Sequence, residues 1–329
     1  MTSAPIPPVC PRCRGQLESE EKRLRCADCG SRYPIIAGIP DLRLKPDAWI
    51  GLEDDRAKAL QVEEATRGAA PNEAVRAYWT LTPSTPADQA ERFVHHAARA
   101  ETRSREWLER STDPDSRSEP WIDLGCGTGD LLAAAGSGPE GVGVDVALRW
   151  LVVARRRLDH AGLSANLICA NAEHLPFPDN AFGRVLALGL VEHCHDKRAL
   201  FDEVFRVLRP GGIFRFRTVN RFGALPEPHV NVWGVGYLPR AWADRYVRWR
   251  TGHPYGHHWP EGPRHLRRVL ESAGFDEVEI DAAPLLPTEL DGRPTIRRLA
   301  PLYEVLRTTP GARSALRQVS PLLESRATA

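Results

Sequence analysis

From about Glu119 onward the chain alternates short, nearly continuous apolar runs with stretches whose apolar residues recur every three or four positions. Runs of the first kind fit strands buried on both faces, and stretches of the second kind fit helices that bury one side. The pattern predicts strands at Pro120–Leu124, Gly141–Val146, Asn166–Ala170, Val185–Gly189, Ile213–Thr218 and Glu277–Ala282. A seventh, antiparallel strand is expected over Ser320–Thr328. Between them, Leu131–Ala135, His265–Gly274 and Pro294–Arg307 are predicted helices. Such alternation argues for a mostly parallel α/β sheet with helices on its faces. Upstream, Asn72–Trp79 and Ala87–Arg110 are predicted helices, the second with Phe93, Ala97, Ala100 and Trp107 on its apolar side. These two helices either cover a ligand pocket or pack on the sheet. Asp113–Glu119 has the composition of a polar linker.

Composition narrows the class without naming it. The 329 residues exceed one typical domain, and 42% hydrophobic with 26% charged residues gives ample material for a core. The apolar run Val185–Val191 is far shorter than the roughly 20 residues that span a bilayer, and the Pro-rich start has no signal-peptide core. A cytoplasmic protein with no transmembrane segment is expected. The formal charge of +1 excludes a generally basic nucleic-acid coat and leaves local patches to be judged by segment.

Four of the seven cysteines form two CxxC pairs, Cys10/Cys13 and Cys26/Cys29. Two such knuckles close a tetrahedral zinc site, and four thiolates leave no position for an activated water, so the zinc should be structural. Disulfides or unrelated thiols are the alternatives. Cys126, Cys169 and Cys194 are scattered and suit packing. The stretch from Cys29 to Leu42, with its Tyr33-Pro34-Ile35 and Gly38-Ile39-Pro40 patterns, resembles the Trm112-like zinc-ribbon family. Members of that family occur as free activators of methyltransferases or fused to them.

The first core strand runs into Gly125-Cys-Gly127-Thr-Gly129-Asp130. Glycines at a strand-to-helix turn let backbone approach a ligand, and the helix start presents free amides. A dinucleotide fingerprint would need glycine where Asp130 stands. The spacing G-x-G-x-G, with Asp123 two residues before the first glycine, is the pattern of S-adenosylmethionine (SAM) sites, where an acidic residue can hold the ligand's ammonium. Asp145 ends the second strand as a carboxylate suited to the ribose hydroxyls. Asn171-Ala172-Glu173-His174 after the third strand resembles the adenine-bordering loop of Methyltransf-11-type SAM enzymes, which usually carry Asp at the position of Asn171. Gly189, Leu190-Val-Glu192-His193 and Glu203–Gly212 resemble further segments of that family. The resemblance covers Trp121 to about Phe275 and implies a cofactor set of Asp123, Gly125, Gly127, Gly129, Asp145, Asn171, Ala172 and Gly189. It also implies direct displacement at the sulfonium methyl, governed by proximity and orientation.

Between the fifth strand and the helix at His265 lies a long insertion containing Glu227, His229, Trp233, His253, Tyr255, His257, His258 and Trp259. Long loops at the carboxyl edge of an α/β sheet commonly shape substrate pockets. Over Arg215–Arg268, ten arginines face three acidic residues, a local balance of +7 that favours an anionic substrate. His229, with Glu227 two residues away to orient its ring, is the candidate general base. For each histidine here the plainer role is packing, and His193 is better suited to packing or cofactor contact. The basic helix start Ile296-Arg-Arg-Leu suits either a membrane surface or solvent.

The expected architecture is a Rossmann-like seven-stranded methyltransferase sheet with a small N-terminal zinc ribbon. Its parts are a ribbon at 1–45, a helical linker and lid region at 46–115, and a catalytic domain at 116–329 with a substrate-side insertion at 220–262. The leading expectation is methyl transfer from SAM to a small or lipid-linked, anionic metabolite. An rRNA or tRNA methyltransferase using the ribbon for RNA contact is the second reading, since bacterial rRNA guanine methyltransferases also join a ribbon to this core. Those ribbons typically end on a histidine ligand, and this one has a balance of only +3 through Lys45. No Asn-Pro-Pro-Tyr or Asp-Pro-Pro-Tyr motif follows the fourth strand. A non-catalytic interaction protein is the third reading.

Overall fold

The structure, a computed structural model, describes residues 6–82, 85, 87–110, 119–136, 141–164 and 166–329. Most of the Asp113–Glu119 segment therefore lies outside the described residues. Internal contacts divide the chain into two compact units, one of 1–185 with 206–209 and the other of 186–205 with 210–329.

The first unit begins with a four-stranded antiparallel ribbon, β1 (Leu17–Glu20), β2 (Arg23–Cys26), β3 (Arg32–Ile36) and β4 (Ile39–Pro40). Three helices follow, α1 (Leu52–Ala65), α2 (Pro71–Thr80) and α3 (Ala87–Glu109). Among the described side chains of α3, Val94, Ala100, Ser104 and Trp107 are buried. Phe93, expected on that side, is exposed and stacks instead on Trp79 with ring centroids 4.8 Å apart.

The sheet strands of this unit are β5 (Trp121–Leu124), β6 (Gly141–Asp145), β7 (Asn166–Cys169) and the first part of β8 (Phe182–Leu188), with α4 (Asp130–Ala135) and α5 (Leu148–His160) between them. β5 pairs parallel with β6, and β6 with β7. All four residues of β5 are buried, as a strand covered on both faces requires. The strand order β8-β5-β6-β7 reverses direction at β5, and in such sheets ligands bind outside the carboxyl ends at that reversal.

The second unit continues β8 and holds α6 (Lys197–Val207) except its last turn, β9 (Leu208–Val219) from Pro210, α7 (Arg240–Thr251) and α8 (Pro263–Ala273). It closes with β10 (Asp276–Ala282), α9 (Pro287–Leu290), α10 (Pro294–Thr308), α11 (Pro310–Val319) and β11 (Leu322–Thr328). β11 returns antiparallel to both β9 and β10, completing the seven-stranded order β10-β11-β9-β8-β5-β6-β7. Phe201, Phe214, Phe216 and Phe275 pack this unit's core, with adjacent ring centroids 4.9–5.9 Å apart. Gly274, at φ 107°, ends α8 in the left-handed conformation that glycine adopts freely. The fifth sheet strand starts earlier than expected, at Leu208, and runs through Gly211, whose φ of 78° marks the position of the expected turn. The insertion also contains a helix, α7, that the apolar pattern did not announce. Among the described residues no helix is long and apolar enough to cross a membrane.

Candidate active site and zinc centre

In the ribbon the four cysteine sulfurs converge. Cys10 and Cys29 Sγ are 3.7 Å apart, Cys13 and Cys26 Sγ 3.5 Å, and all four lie within 4.8 Å of one another. A tetrahedral zinc with Zn–S of about 2.3 Å has edges of about 3.8 Å. The four cysteines fit that ion. Each knuckle is closed locally, with Arg14 N donating to Cys10 O (2.7 Å) and Gly30 N to Cys26 O (3.1 Å). Arg14 and Gly30 take the positive φ values, 62° and 71°, that such turns require. Tyr33 Oη lies 3.2 Å from Cys10 Sγ, a hydrogen-bonding partner for a thiolate.

The ribbon is anchored within its unit by polar contacts that its spacing does not reveal. Asp41 forms a parallel bridge with Cys169 at the end of β7, and Leu42 N donates to Cys169 O (2.7 Å). Arg43, fully buried in its side chain, donates to Asp41 (2.8 Å), Asp55 of α1 (2.6 Å) and Val146 O (2.8 Å). Arg149 of α5 completes the set on Asp55 (2.7 Å) and Asp47 (2.7 Å). Burial alone would favour the neutral form of Arg43. Its carboxylate neighbours outweigh that and hold it charged.

The turn after β5 places Gly125, Gly127 and Gly129 at φ 78°, 49° and 75°. A Cβ at Gly127 would meet open space, whereas one at Gly129 would sit 3.1 Å from the Ala154 Cβ of α5. Gly127 thus borders a space, and Gly129 allows close helix packing. Asp123 is buried at 2% exposure, and its Oδ2 has no hydrogen-bond partner among the described residues. Burial, then the charges of Asp130 and Asp145, push its pKa well above the usual carboxylate range. A buried carboxylate oxygen left without a partner suits a cationic ligand group such as the ammonium of SAM. Asp145 accepts from Gly127 N and Ala147 N, both at 2.8 Å, which uses one lone pair on each oxygen and leaves others for ligand hydroxyls. Burial raises its pKa too, while the two amides oppose that rise. These features fit SAM.

Asn171 is buried and its side chain is engaged. Oδ1 accepts from Leu44 N (2.9 Å) and Lys45 N (3.1 Å), and Nδ2 donates to Lys45 O (3.2 Å). It ties the ribbon's exit segment to the loop after β7. Ala172 beside it is buried at 8% exposure. In the second unit, Gly189 ends β8 at φ 69° with its N–H on Arg217 O (2.9 Å). Nearby, Glu192 is buried and accepts from Thr218 Oγ1 at 2.8 Å.

The same unit holds Glu227 and His229, in a tight loop. Glu227 accepts from His229 N (2.9 Å) and Val230 N (3.1 Å), and its Oε1 is 2.6 Å from His229 Nδ1. Burial lowers the His229 pKa, but the hydrogen bond and charge of Glu227 outweigh it and the net shift is upward. His193 and His258 stand against this ring, with centroids 5.0 and 4.2 Å from that of His229. Burial, then repulsion from His229 and His193, pushes His258 down to about 3. Burial also lowers His193. The loop bearing His258 is fixed by α7: Asp244 accepts from Tyr255 N (2.7 Å), and Arg240 donates to His258 O (3.1 Å) while lying 3.5 Å over the Trp259 ring. Tyr255 packs with Val232, Val235, Ala243 and Val247 in a small core of the insertion's own. Sequence reasoning found each histidine separately. Their convergence depends on three chain segments and has no spacing signature.

A parallel sheet reversing at β5, with a glycine turn and two carboxylates at that end, defines an adenosyl-cofactor enzyme of the doubly wound class. The model for "Methyltransferase domain" matches residues 122–216, and that for "Trm112p-like protein" matches residues 9–38. A demethylmenaquinone methyltransferase of Thermus thermophilus is 33% identical over 186 residues, spanning 51% of this chain and 80% of that protein. A ubiquinone biosynthesis O-methyltransferase of Idiomarina loihiensis is 30% identical over 49% of this chain, which spans 63% of its length. The solved Haemonchus contortus phosphoethanolamine N-methyltransferase 2, in complex with SAM, aligns at 20% identity and a TM-score of 0.45 over 69% of this chain and 52% of that one. The chain belongs to the SAM-dependent methyltransferases, with a Trm112-like ribbon at its N-terminal end.

Proposed function

We propose that the enzyme transfers the SAM methyl group to a small or lipid-linked, anionic metabolite in the cytoplasm. The partnerless oxygen of buried Asp123, beside a turn opened by Gly127, is the observation that carries the cofactor half of this reading. In it, Asp123 holds the ammonium and Asp145 the ribose hydroxyls, while Gly125, Gly127 and Gly129 shape the turn. Because the Asn171 amide is engaged by Leu44 and Lys45, the adenine is bordered by the backbone of Asn171–Ala172 rather than by that side chain. Gly189 supplies close backbone approach. His229, oriented by Glu227, is the acceptor-side pair. The excess of arginine over acidic residues in Arg215–Arg268 supports an anionic acceptor. SAM supplies an electrophilic methyl, and the chain's task is to align the nucleophile with it and exclude water. The ribbon is a structural zinc module in this reading, and the three-part division at 45 and 115 describes its organisation.

Radiolabelled SAM incubated with the enzyme and separated lipid, metabolite and RNA fractions tests the proposal. Label should enter a lipid or metabolite fraction; label confined to RNA overturns the substrate class. Asp145→Ala should abolish measurable SAM binding in a folded protein, and retained affinity would sink the cofactor assignment.

A further inference from the structure

The imidazoles of His193, His229 and His258 have a geometry that general-base duty for one of them does not require. His193 comes from the turn after β8, His229 from the Glu227 loop and His258 from the loop fixed by α7. One ligand-capable nitrogen from each lies within 4.8 Å of the other two. A tetrahedral zinc with Zn–N of 2.0–2.1 Å needs nitrogen separations of about 3.3 Å, which small ring rotations reach from here. Two of the rings already have the outer partners that metal-bound histidines use. Glu227 Oε1 takes Nδ1 of His229 at 2.6 Å, leaving Nε2 as the free donor, and His193 hydrogen-bonds the backbone of His257. The Glu227 carboxylate is itself held by two backbone amides, so the orienting group is rigid.

We propose that His193, His229 and His258 form a second metal site, which takes a divalent transition metal such as Zn2+ and keeps one coordination position open for an oxygen ligand. Three neutral nitrogens plus an open position is the donor set of catalytic rather than structural zinc, and it differs in kind from the four closed thiolates of the ribbon. The binding itself stands on the cluster alone. Its use rests on the reaction proposed above: an acceptor hydroxyl bound at the open position loses its proton to water more readily. His229 in that case acts through the metal, and Glu227 is a positioning residue.

Metal analysis of the purified full chain, supplied with Zn2+, is the test, with the ribbon as an internal control. The wild type should hold two equivalents. His229→Ala/His258→Ala should hold one, and Cys10→Ser/Cys13→Ser should retain the other. Glu227→Gln should weaken the second site about 10- to 100-fold in a Zn2+ or Co2+ titration. SAM binding by each variant reports that it has folded. One equivalent in the wild type, with no further uptake of Zn2+ or Co2+, overturns the metal site. Methyl transfer that persists in such one-zinc protein leaves the transferase reading standing with His229 as a metal-free base. Failure of SAM binding in two-zinc wild type overturns the transferase reading instead.

Discussion

Asp123 is a carboxylate held out of water with one oxygen unsatisfied, so its proton affinity is the property most open to experiment. Its folded pKa lies above the unfolded value, hence the native state binds more protons and the free protein loses stability as pH rises through the folded pKa. A cationic ligand reverses the preference. SAM affinity should therefore strengthen as pH rises through that value, and calorimetric titration across pH should show it. Asp123→Asn should bind weakly with a flat profile; an unchanged slope would place the titrating group elsewhere. Asp123 and Asp145 were singled out in the sequence, Asp123 by the glycine spacing that follows it and Asp145 by ending a strand, and the structure places Asp145 in hydrogen-bond contact with Gly127 of that turn. Asn171 was only half legible: its loop position is a family feature, but its hydrogen bonds run to Leu44 and Lys45, more than a hundred residues away.

α3 and α8, which bury apolar residues, were predicted, while α5 was not, although it buries Leu148, Leu151, Val152, Val153, Ala154 and Leu158. α1 was not predicted either: it opens Leu-Glu-Asp-Asp, and its Asp55 is held by Arg43 and Arg149. No hydrophobic period records such an anchor. α7 was missed for a related reason: only Ala243 and Val247 are buried, and the larger Trp242 and Trp249 stand exposed. The buried ion set yields a prediction at this scale. Arg149→Met leaves Asp47 and Asp55 without their shared partner and should cost about 3–5 kcal/mol, read as a lower urea midpoint. Replacing Asp47, Asp55 and Arg149 together by apolar residues should recover part of that loss, because desolvation is removed along with attraction. A single replacement costing under about 0.5 kcal/mol would mean the set is solvated.

For the molecule as a whole, zinc links the smallest part to the largest. The ribbon's exit strand and Asp41–Lys45 lie on β7 through the Cys169 bridge, the Arg43 set and Asn171. Removing zinc with a chelator, or by Cys10→Ser/Cys13→Ser, should lower the melting temperature of the first unit as well as unfold the ribbon. Re-addition of Zn2+ should restore the chelated protein. A melting temperature indifferent to zinc would show the two parts to be energetically separate. The α/β sheet with a returning antiparallel last strand was readable because strand and helix alternate after Glu119, but its strand order was not read from the sequence. Nor was the place of the ribbon against it, since that docking is written in single polar residues. The docking also has a consequence for behaviour in concentrated solution. β7 is the last strand of its sheet, and such a border exposes amide and carbonyl groups that accept a strand from any other molecule. By laying its own tail there, the chain guards that border against neighbours, so a shortage of zinc would be felt first as self-association and precipitation.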